Sequence, residues 1–276
     1  MRRALLGLLV GAIGYAVLLF PSAADEWTAE EINKTIEATN FIVNRGCSGT
    51  LIAINPSLVL TNYHCIDGNV DSVEREVRAP DGTVAKKKFR KYTDVTTEQK
   101  THDGFTLVGS ASYIAEIVAE AKTSDLALLK LKGRTPHSYF SPIIPDGQPV
   151  LRGERVWIVG NPLGLESTVT AGIISANRSL DPPWADGARI PVLQISGGMS
   201  GGNSGGALYN SKGQLVGVPF AGYRGDGHLG FAITIDVVKA FLRENCFAST
   251  FDKGANDDRC RGEKMLKAKA DPANKE

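Results

Sequence analysis

GCSGTLIAINPSLVLTNYHC, residues 46–65, decides the fold class. Two short segments of apolar and β-branched residues, GTLIAI and LVLTN, are parted by Asn55-Pro56. Short runs of this composition, bounded by Gly, Pro and Asn, read as strands. The same texture recurs in FIVN, VEREVRAP, AEIVAEA, DLALLKL, VWIVG, TVTAGIISA, VLQIS, ALYN, LVGVPF and GFAIT. Many short strands at close spacing predict an all-β barrel or sandwich. Val156-Trp157-Ile158-Val159 is continuously apolar, so that strand is expected to be buried on both faces. Asn210-Ser211-Lys212-Gly213 reads as a hairpin turn. Helical spacing is confined to two places. Thr28 and Glu31 form a capping box ahead of a short amphipathic helix, and residues 235–242 make a closing helix.

The chain has 276 residues, is 42% hydrophobic and 22% charged, and carries a formal charge of +1. That is enough chain for one or two domains with a sizeable core. The balanced charge gives no global field for nucleic acid or an acidic membrane. Arg2-Arg3, an apolar run from Ala4 to Phe20 and Pro21-Ser22-Ala23-Ala24 have the layout of a secretory signal. The run is at the short limit for a membrane span, and the small residues after it favour cleavage at Ala24. About 252 residues would then remain, with no stable membrane span.

Cys47, Cys65, Cys246 and Cys260 are even in number, and the chain reads as exported, so two disulfides are expected. Of the three pairings, the local one joins Cys47 to Cys65 and Cys246 to Cys260. It would pin the loop holding His64 to a neighbouring strand. Without a C-x-x-C or a histidine at ligand spacing, no metal is expected. Residues 85–106 carry Lys86, Lys87, Lys88, Arg90 and Lys91, then a polar run. They read as a surface hairpin or long loop with a solvated basic face. Residues 261–276 read as a disordered polar tail.

Three residues carry chemistry. A serine hydroxyl needs a base to take its proton, and that base must be held in one tautomer. His64 ends the apolar segment Leu58-Val59-Leu60, and Asp125 heads Leu126-Ala127-Leu128-Leu129 at a core boundary. Ser204 lies in Gly202-Asn203-Ser204-Gly205-Gly206. Glycines there permit positive φ, which lets the N–H groups of Gly202 and Ser204 converge as an oxyanion hole. Base, orienting acid and nucleophile in this order fit acyl transfer with His64, Asp125 and Ser204. The order is wrong for an α/β-hydrolase esterase, which runs Ser, acid, His. Asp67 and Asp71 are rival acids in the loop after His64. His102, His137 and His228 lie in polar or turn-rich surroundings and read as surface residues.

GCSGTLIAINPSLVLTNYHC, SDLALLKL, VWIVGNPLGLESTVTAGIISA and GGNSGGALYNSKGQLVGV resemble the trypsin-like serine peptidases, above all the protease domain of the HtrA/Deg branch. The resemblance covers about Gly46 to Leu242. It implies two six-stranded antiparallel β-barrels with a site between them, and endopeptidase activity on protein or peptide substrates without a cofactor. The expected organisation is a signal over 1–24, a helical segment over 25–45, the protease domain over 46–246 and a disulfide-tethered polar tail over 247–276. HtrA-like chains usually continue into PDZ domains; about 34 residues follow Leu242, too few for one. The base of the specificity pocket is expected near Gly198 and Met199, with a wall at Val218, Pro219, Phe220 and Ala221. No acid falls there, so a small or medium apolar residue is expected before the cut rather than Arg or Lys. Asn203 stands where many secreted relatives have an aspartate that pairs with a new N-terminus, so activation by N-terminal insertion is not expected. HtrA-like enzymes are often trimers built through N-terminal segments, which leaves monomer and trimer both open. A periplasmic or secreted location follows, in envelope quality control or the processing of one target. The rival reading is a protease-fold binding or chaperone module.

Overall fold

The computed structural model describes residues 27–43, 45–78, 83–103, 106–135, 138–185, 187–223 and 228–270. The signal-like segment and His137 therefore lie outside the described residues. Helix α1 spans Ala29–Glu37 and is followed by strands β1 (Thr39–Ile42), β2 (Cys47–Ile54) and β3 (Ser57–Thr61). Next come β4 (Val70–Arg78), β5 (Val84–Tyr92), β6 (Val95–Asp103), β7 (Thr106–Ala121) and β8 (Leu126–Leu131). The second half holds β9 (Arg155–Gly160), β10 (Thr168–Leu180), β11 (Ile190–Ser196), β12 (Ala207–Asn210), β13 (Leu215–Gly222) and β14 (Leu229–Thr234). Helices α2 (Ile235–Glu244) and α3 (Asp257–Ala270) close the chain.

The strands form two closed barrels, β1-β2-β3-β8-β7-β6 and β10-β11-β14-β13-β12-β9. Every pairing within them is antiparallel. Both six-stranded barrels are thus as expected. Closure gives each barrel strand a neighbour on both sides. The period of two explains the packing. Leu51, Val59 and Leu129 fill the first barrel, while their neighbours Ile52, Leu58, Leu60 and Leu128 join the core cluster of the second. Strands β2, β3 and β8 are therefore buried on both faces, which is why they read as continuous apolar runs. β9 is likewise buried from Val156 to Gly160.

The polar stretch expected as a single hairpin or loop divides in two. β5 pairs with β4 as a separate two-stranded ribbon. Its register sets Lys86 opposite Glu76, Lys88 opposite Glu74 and Lys91 opposite Asp71, and Arg90 pairs with Glu120 at 3.0 Å. β6, however, is a full member of the first barrel. Its inward positions are Val95, Thr97 and Gln99, all buried. Two of those three are polar, so the strand lacks the apolar alternation that would announce it. Of the stretch 261–276 expected as a disordered tail, residues 261–270 belong to helix α3, and residues 271–276 lie outside the described residues. The Cys246–Cys260 disulfide anchors this helix, and the pairs Arg259–Glu263 and Arg261–Asp258 run along it. His102 is half-buried with Nδ1 shielded from solvent, not a surface residue.

The capping box forms as read: Glu31 N–H donates to Thr28 Oγ1 (3.2 Å), and Thr28 N–H donates to Glu31 Oε2 (2.8 Å). The Asn210 turn closes with Gly213 N–H on the Asn210 carbonyl at 3.0 Å. Ahead of α1, Trp27 stacks on Trp157 with ring centroids 4.8 Å apart and 5° between planes. Its indole N–H donates to the Asn210 carbonyl (3.2 Å), so the N-terminal segment docks on this chain's own second barrel. Among the described residues no helix is long and apolar enough to cross a membrane. Trp27 is 8% exposed. Replacing it with alanine should cost about 3 kcal/mol in a urea titration; a loss under about 0.5 kcal/mol would show that the stack carries little.

Candidate active site

Asp125 sits in the turn between β7 and β8 with φ at +52°, a left-handed conformation that aspartate tolerates better than most residues. The turn closes through Asp125 N–H to the Lys122 carbonyl (3.1 Å). Asn62 Nδ2 donates to the Asp125 carbonyl (2.8 Å). The carboxylate is almost wholly buried, and such burial costs free energy unless the charge is bonded. Two donors from one residue meet it: His64 N–H to Oδ1 at 2.9 Å and His64 Nδ1 to Oδ2 at 2.8 Å. A carboxylate oxygen only accepts, so Nδ1 is the donor in this contact, and the imidazole is 42% exposed. The rival acids do not compete. Asp67 is ion-paired to Arg45, and Asp71 lies exposed on β4.

Both expected disulfides form, Cys47–Cys65 and Cys246–Cys260. The first ties the residue after His64 to the head of β2. The Sγ atoms of Cys47 and Cys65 lie near a His64 ring nitrogen, but the disulfide leaves no thiolate there to bind a metal.

The loop before β12 is shaped by three carbonyls. Gly201 C=O accepts from Leu163 N–H (2.7 Å), Gly202 C=O from Ser48 Oγ (2.7 Å) and Asn203 C=O from Gly206 N–H (3.0 Å). A trans peptide points its N–H opposite to its C=O. The first and third bonds therefore turn the N–H groups of Gly202 and Ser204 away from Leu163 and Gly206, and among the described residues neither has a backbone partner. Gly202 has φ at +102°, and a Cβ there would stand 2.3 Å from the Asn161 carbonyl, so no other residue fits.

Ser204 is seated by its own carbonyl, which accepts from Ser48 N–H (2.8 Å). Cys65 Sγ lies 3.8 Å from the same oxygen, so the His64 loop and Ser204 adjoin. The Ser204 hydroxyl donates to the Phe220 carbonyl (3.2 Å), and among the described residues no hydrogen bond joins it to His64. Of the expected pocket residues, Phe220 and Ala221 flank that acceptor on β13, and Met199 is buried close by. Val218 is fully buried in the second-barrel core, and Pro219 lies in the strand with Ala232 as register partner. Gly198 contributes its carbonyl to Thr170 Oγ1 (3.3 Å).

Two residues that the sequence reading passed over organise this loop. Ser48 Oγ holds the Gly202 carbonyl and accepts from Asn161 N–H (2.8 Å), and Asn161 Nδ2 reaches Ser48 Oγ (3.1 Å) and the Asn40 carbonyl (3.1 Å). Both are buried. Their only signal was a polar residue beside an apolar strand, at CSGT and VGNP. Ser48→Ala would leave a carbonyl and an N–H unpaired, at a cost of about 2 kcal/mol in chemical denaturation. A change below about 0.5 kcal/mol would contradict the part given to Ser48.

The profile of the trypsin-like peptidase domain family matches residues 47–218, more than half of the chain. The magnetosome formation protease MamE of Paramagnetospirillum magneticum is 31% identical over 209 residues, which is 74% of this chain and 24% of that protein. A probable periplasmic serine endoprotease, DegP-like, of Rhizobium meliloti is 36% identical over 161 residues, 54% of this chain and 31% of its own length. The chain thus spans only about a quarter to a third of the length of these relatives. The solved serine endoprotease from Yersinia pestis superposes with a TM-score of 0.56 at 22% identity, covering 80% of this chain and 67% of that one, a likeness in fold. With its two closed barrels and this match, the chain belongs to the trypsin-like peptidase domain family.

Proposed function

We propose that the protein is an exported serine endopeptidase that cleaves protein substrates through an acyl-enzyme. The buried Asp125 carboxylate bonded to His64 Nδ1 at 2.8 Å, beside a serine whose loop turns two N–H groups outward, carries this reading.

The chemistry follows from the atoms. β13 pairs with β12 only as far as Gly217, and Gly205 N–H takes the Pro219 carbonyl (2.9 Å); beyond that, from Phe220 to Gly222, no strand pairs with this edge among the described residues. A substrate segment can add there as a strand. One of its N–H groups then takes the Phe220 carbonyl and displaces the Ser204 hydroxyl, which turns toward His64 Nε2. Oγ attacks the scissile carbonyl carbon while Nε2 accepts its proton, and Asp125 stabilises the imidazolium. The oxyanion forms between the N–H groups of Gly202 and Ser204. Collapse breaks the C–N bond as Nε2 returns the proton to the leaving amine. Water activated by the same nitrogen then releases the acyl group.

Export is supported by the secretory-type leader, two disulfides and the periplasmic DegP-like relative. The work would be quality control of damaged envelope proteins or processing of one target, in the periplasm or outside the cell. A binding or chaperone module is the second reading, favoured by the resting contact of Ser204 with Phe220 in place of His64. A fluorophosphonate probe separates the two. Labelling that disappears in Ser204→Ala supports the peptidase, and no labelling of the folded protein supports the module. Asp125→Asn should lower kcat about 10⁴-fold with KM little changed, because the imidazole would be held in the wrong tautomer. A drop of less than about tenfold would remove Asp125 from the mechanism.

A further inference from the structure

The loop from Asn161 to Ser167 is strained where it meets the Ser204 loop. Leu163 has φ at +55° and Ser167 at +58°, left-handed conformations that cost free energy for any residue with a Cβ. Apolar burial does not explain the shape, because Leu163 and Leu165 are both exposed. Strain of this kind persists only where surrounding contacts hold it. One end is held by Asn161, which bonds Ser48 and Asn40 of the first barrel and accepts from Ser167 N–H at its Oδ1 (3.0 Å). The other end reaches the same barrel through Glu166, whose Oε2 lies 3.2 Å from Lys100 Nζ.

Lys100 lies near the end of β6 and faces outward beside Glu98, while Gln99 between them is buried. Its side chain is only 16% exposed and is shared by Glu98 (2.9 Å) and Glu166. Donation to Glu98, with the pairing to Glu166, outweighs burial and holds the ammonium above the ordinary lysine range. Between the two anchors sits Leu163, whose N–H donates to the Gly201 carbonyl (2.7 Å). That bond fixes the peptide that carries the Gly202 N–H. We propose that Lys100 is a positioning residue for the oxyanion site: by gripping Glu166 it keeps Leu163 left-handed and the Gly202 N–H turned toward the developing oxyanion. The assignment rests on the peptidase reading and adds a residue of the first barrel that tunes it. Without the pair, Leu163 relaxes out of the left-handed region and the Gly201 carbonyl loses its donor. The peptide between Gly201 and Gly202 is then free to turn, since both flanking residues are glycine. The loss falls on the transition state, where the oxyanion needs both donors, and not on substrate binding.

The test is kcat and KM on a fluorogenic peptide that the wild type cuts, for Lys100→Met, Lys100→Arg, Glu166→Gln and the double variant of Lys100→Met with Glu166→Gln. Lys100→Met should lower kcat by between about tenfold and the roughly 10²-fold that losing one donor costs, with KM within about twofold of the wild type. Lys100→Arg keeps a charge for both carboxylates and should retain most of the activity. Glu166→Gln should also lower kcat, and the double variant should be no slower than the slower single one, because both remove the same interaction. Unchanged kcat in Lys100→Met and Glu166→Gln would overturn the assignment, as would losses that multiply in the double variant or that appear in KM alone. Fluorophosphonate labelling runs alongside. A labelled, active wild type with unchanged variants sinks only the Lys100 assignment, whereas an unlabelled, inactive wild type sinks the peptidase reading and this one with it. If urea titration shows that Lys100→Met does not fold, Glu166→Gln must show the fall in kcat while folded, or the assignment fails.

Discussion

Ser48 is the joint on which the two barrels meet. It belongs to β2 of the first barrel, yet its N–H holds the carbonyl of Ser204 and its hydroxyl holds the carbonyl of Gly202, both in a loop of the second. Thr61 Oγ1 donates to the Ser48 carbonyl (2.7 Å) from the strand that leads to His64. One residue thereby links the strand that leads to His64 with the loop that carries Ser204. Hydrogen bonds suit this task because they are directional, whereas the apolar contact between barrels fixes proximity without orientation. The apolar layer of Ile52, Leu58, Leu60 and Leu128 brings the barrels together, and Ser48 sets the register at one end of it.

A second constraint is the charge at Asp125. A carboxylate this deep persists only if its bonds replace water, and His64 supplies both of those bonds. The contact that makes the fold tolerable is therefore also the one that sets the imidazole tautomer. The Cys47–Cys65 disulfide then fixes the residue after His64 to the residue before Ser48. Asp125, His64 and the loop of Ser204 are coupled through a short stretch of β2, although they are far apart in sequence.

How much of this was legible in the sequence depends on what each residue contributes. The barrel strands with apolar inward faces, such as Val156–Val159 and Leu126–Leu129, were readable because burial on two faces demands an unbroken apolar run. β6 was not, since Thr97 and Gln99 turn polar side chains inward. Helix α3 was missed for a related reason: a disulfide and ion pairs hold a helix with no apolar face to detect. His64, Asp125 and Ser204 stood out because polar side chains of those types flank apolar runs or sit in a glycine-rich loop. Ser48 and Asn161 act partly through main-chain groups contributed by distant segments, so nothing in their own neighbourhoods marks them. The resting hydroxyl on the Phe220 carbonyl is a matter of one torsion, and composition carries no trace of it.

The central claim is that the Ser48 joint holds the nucleophile loop with two N–H groups aimed at a single point beside Ser204. A crystal structure of the protein reacted with a peptidyl phosphonate tests it most directly. The account predicts phosphorus bonded to Ser204 Oγ, one phosphonyl oxygen about 3 Å from the N–H groups of both Gly202 and Ser204, and the Ser48 to Gly202 bond intact. An adduct on another residue, or one whose oxygen faces the Gly202 carbonyl after the loop has turned over, would contradict it.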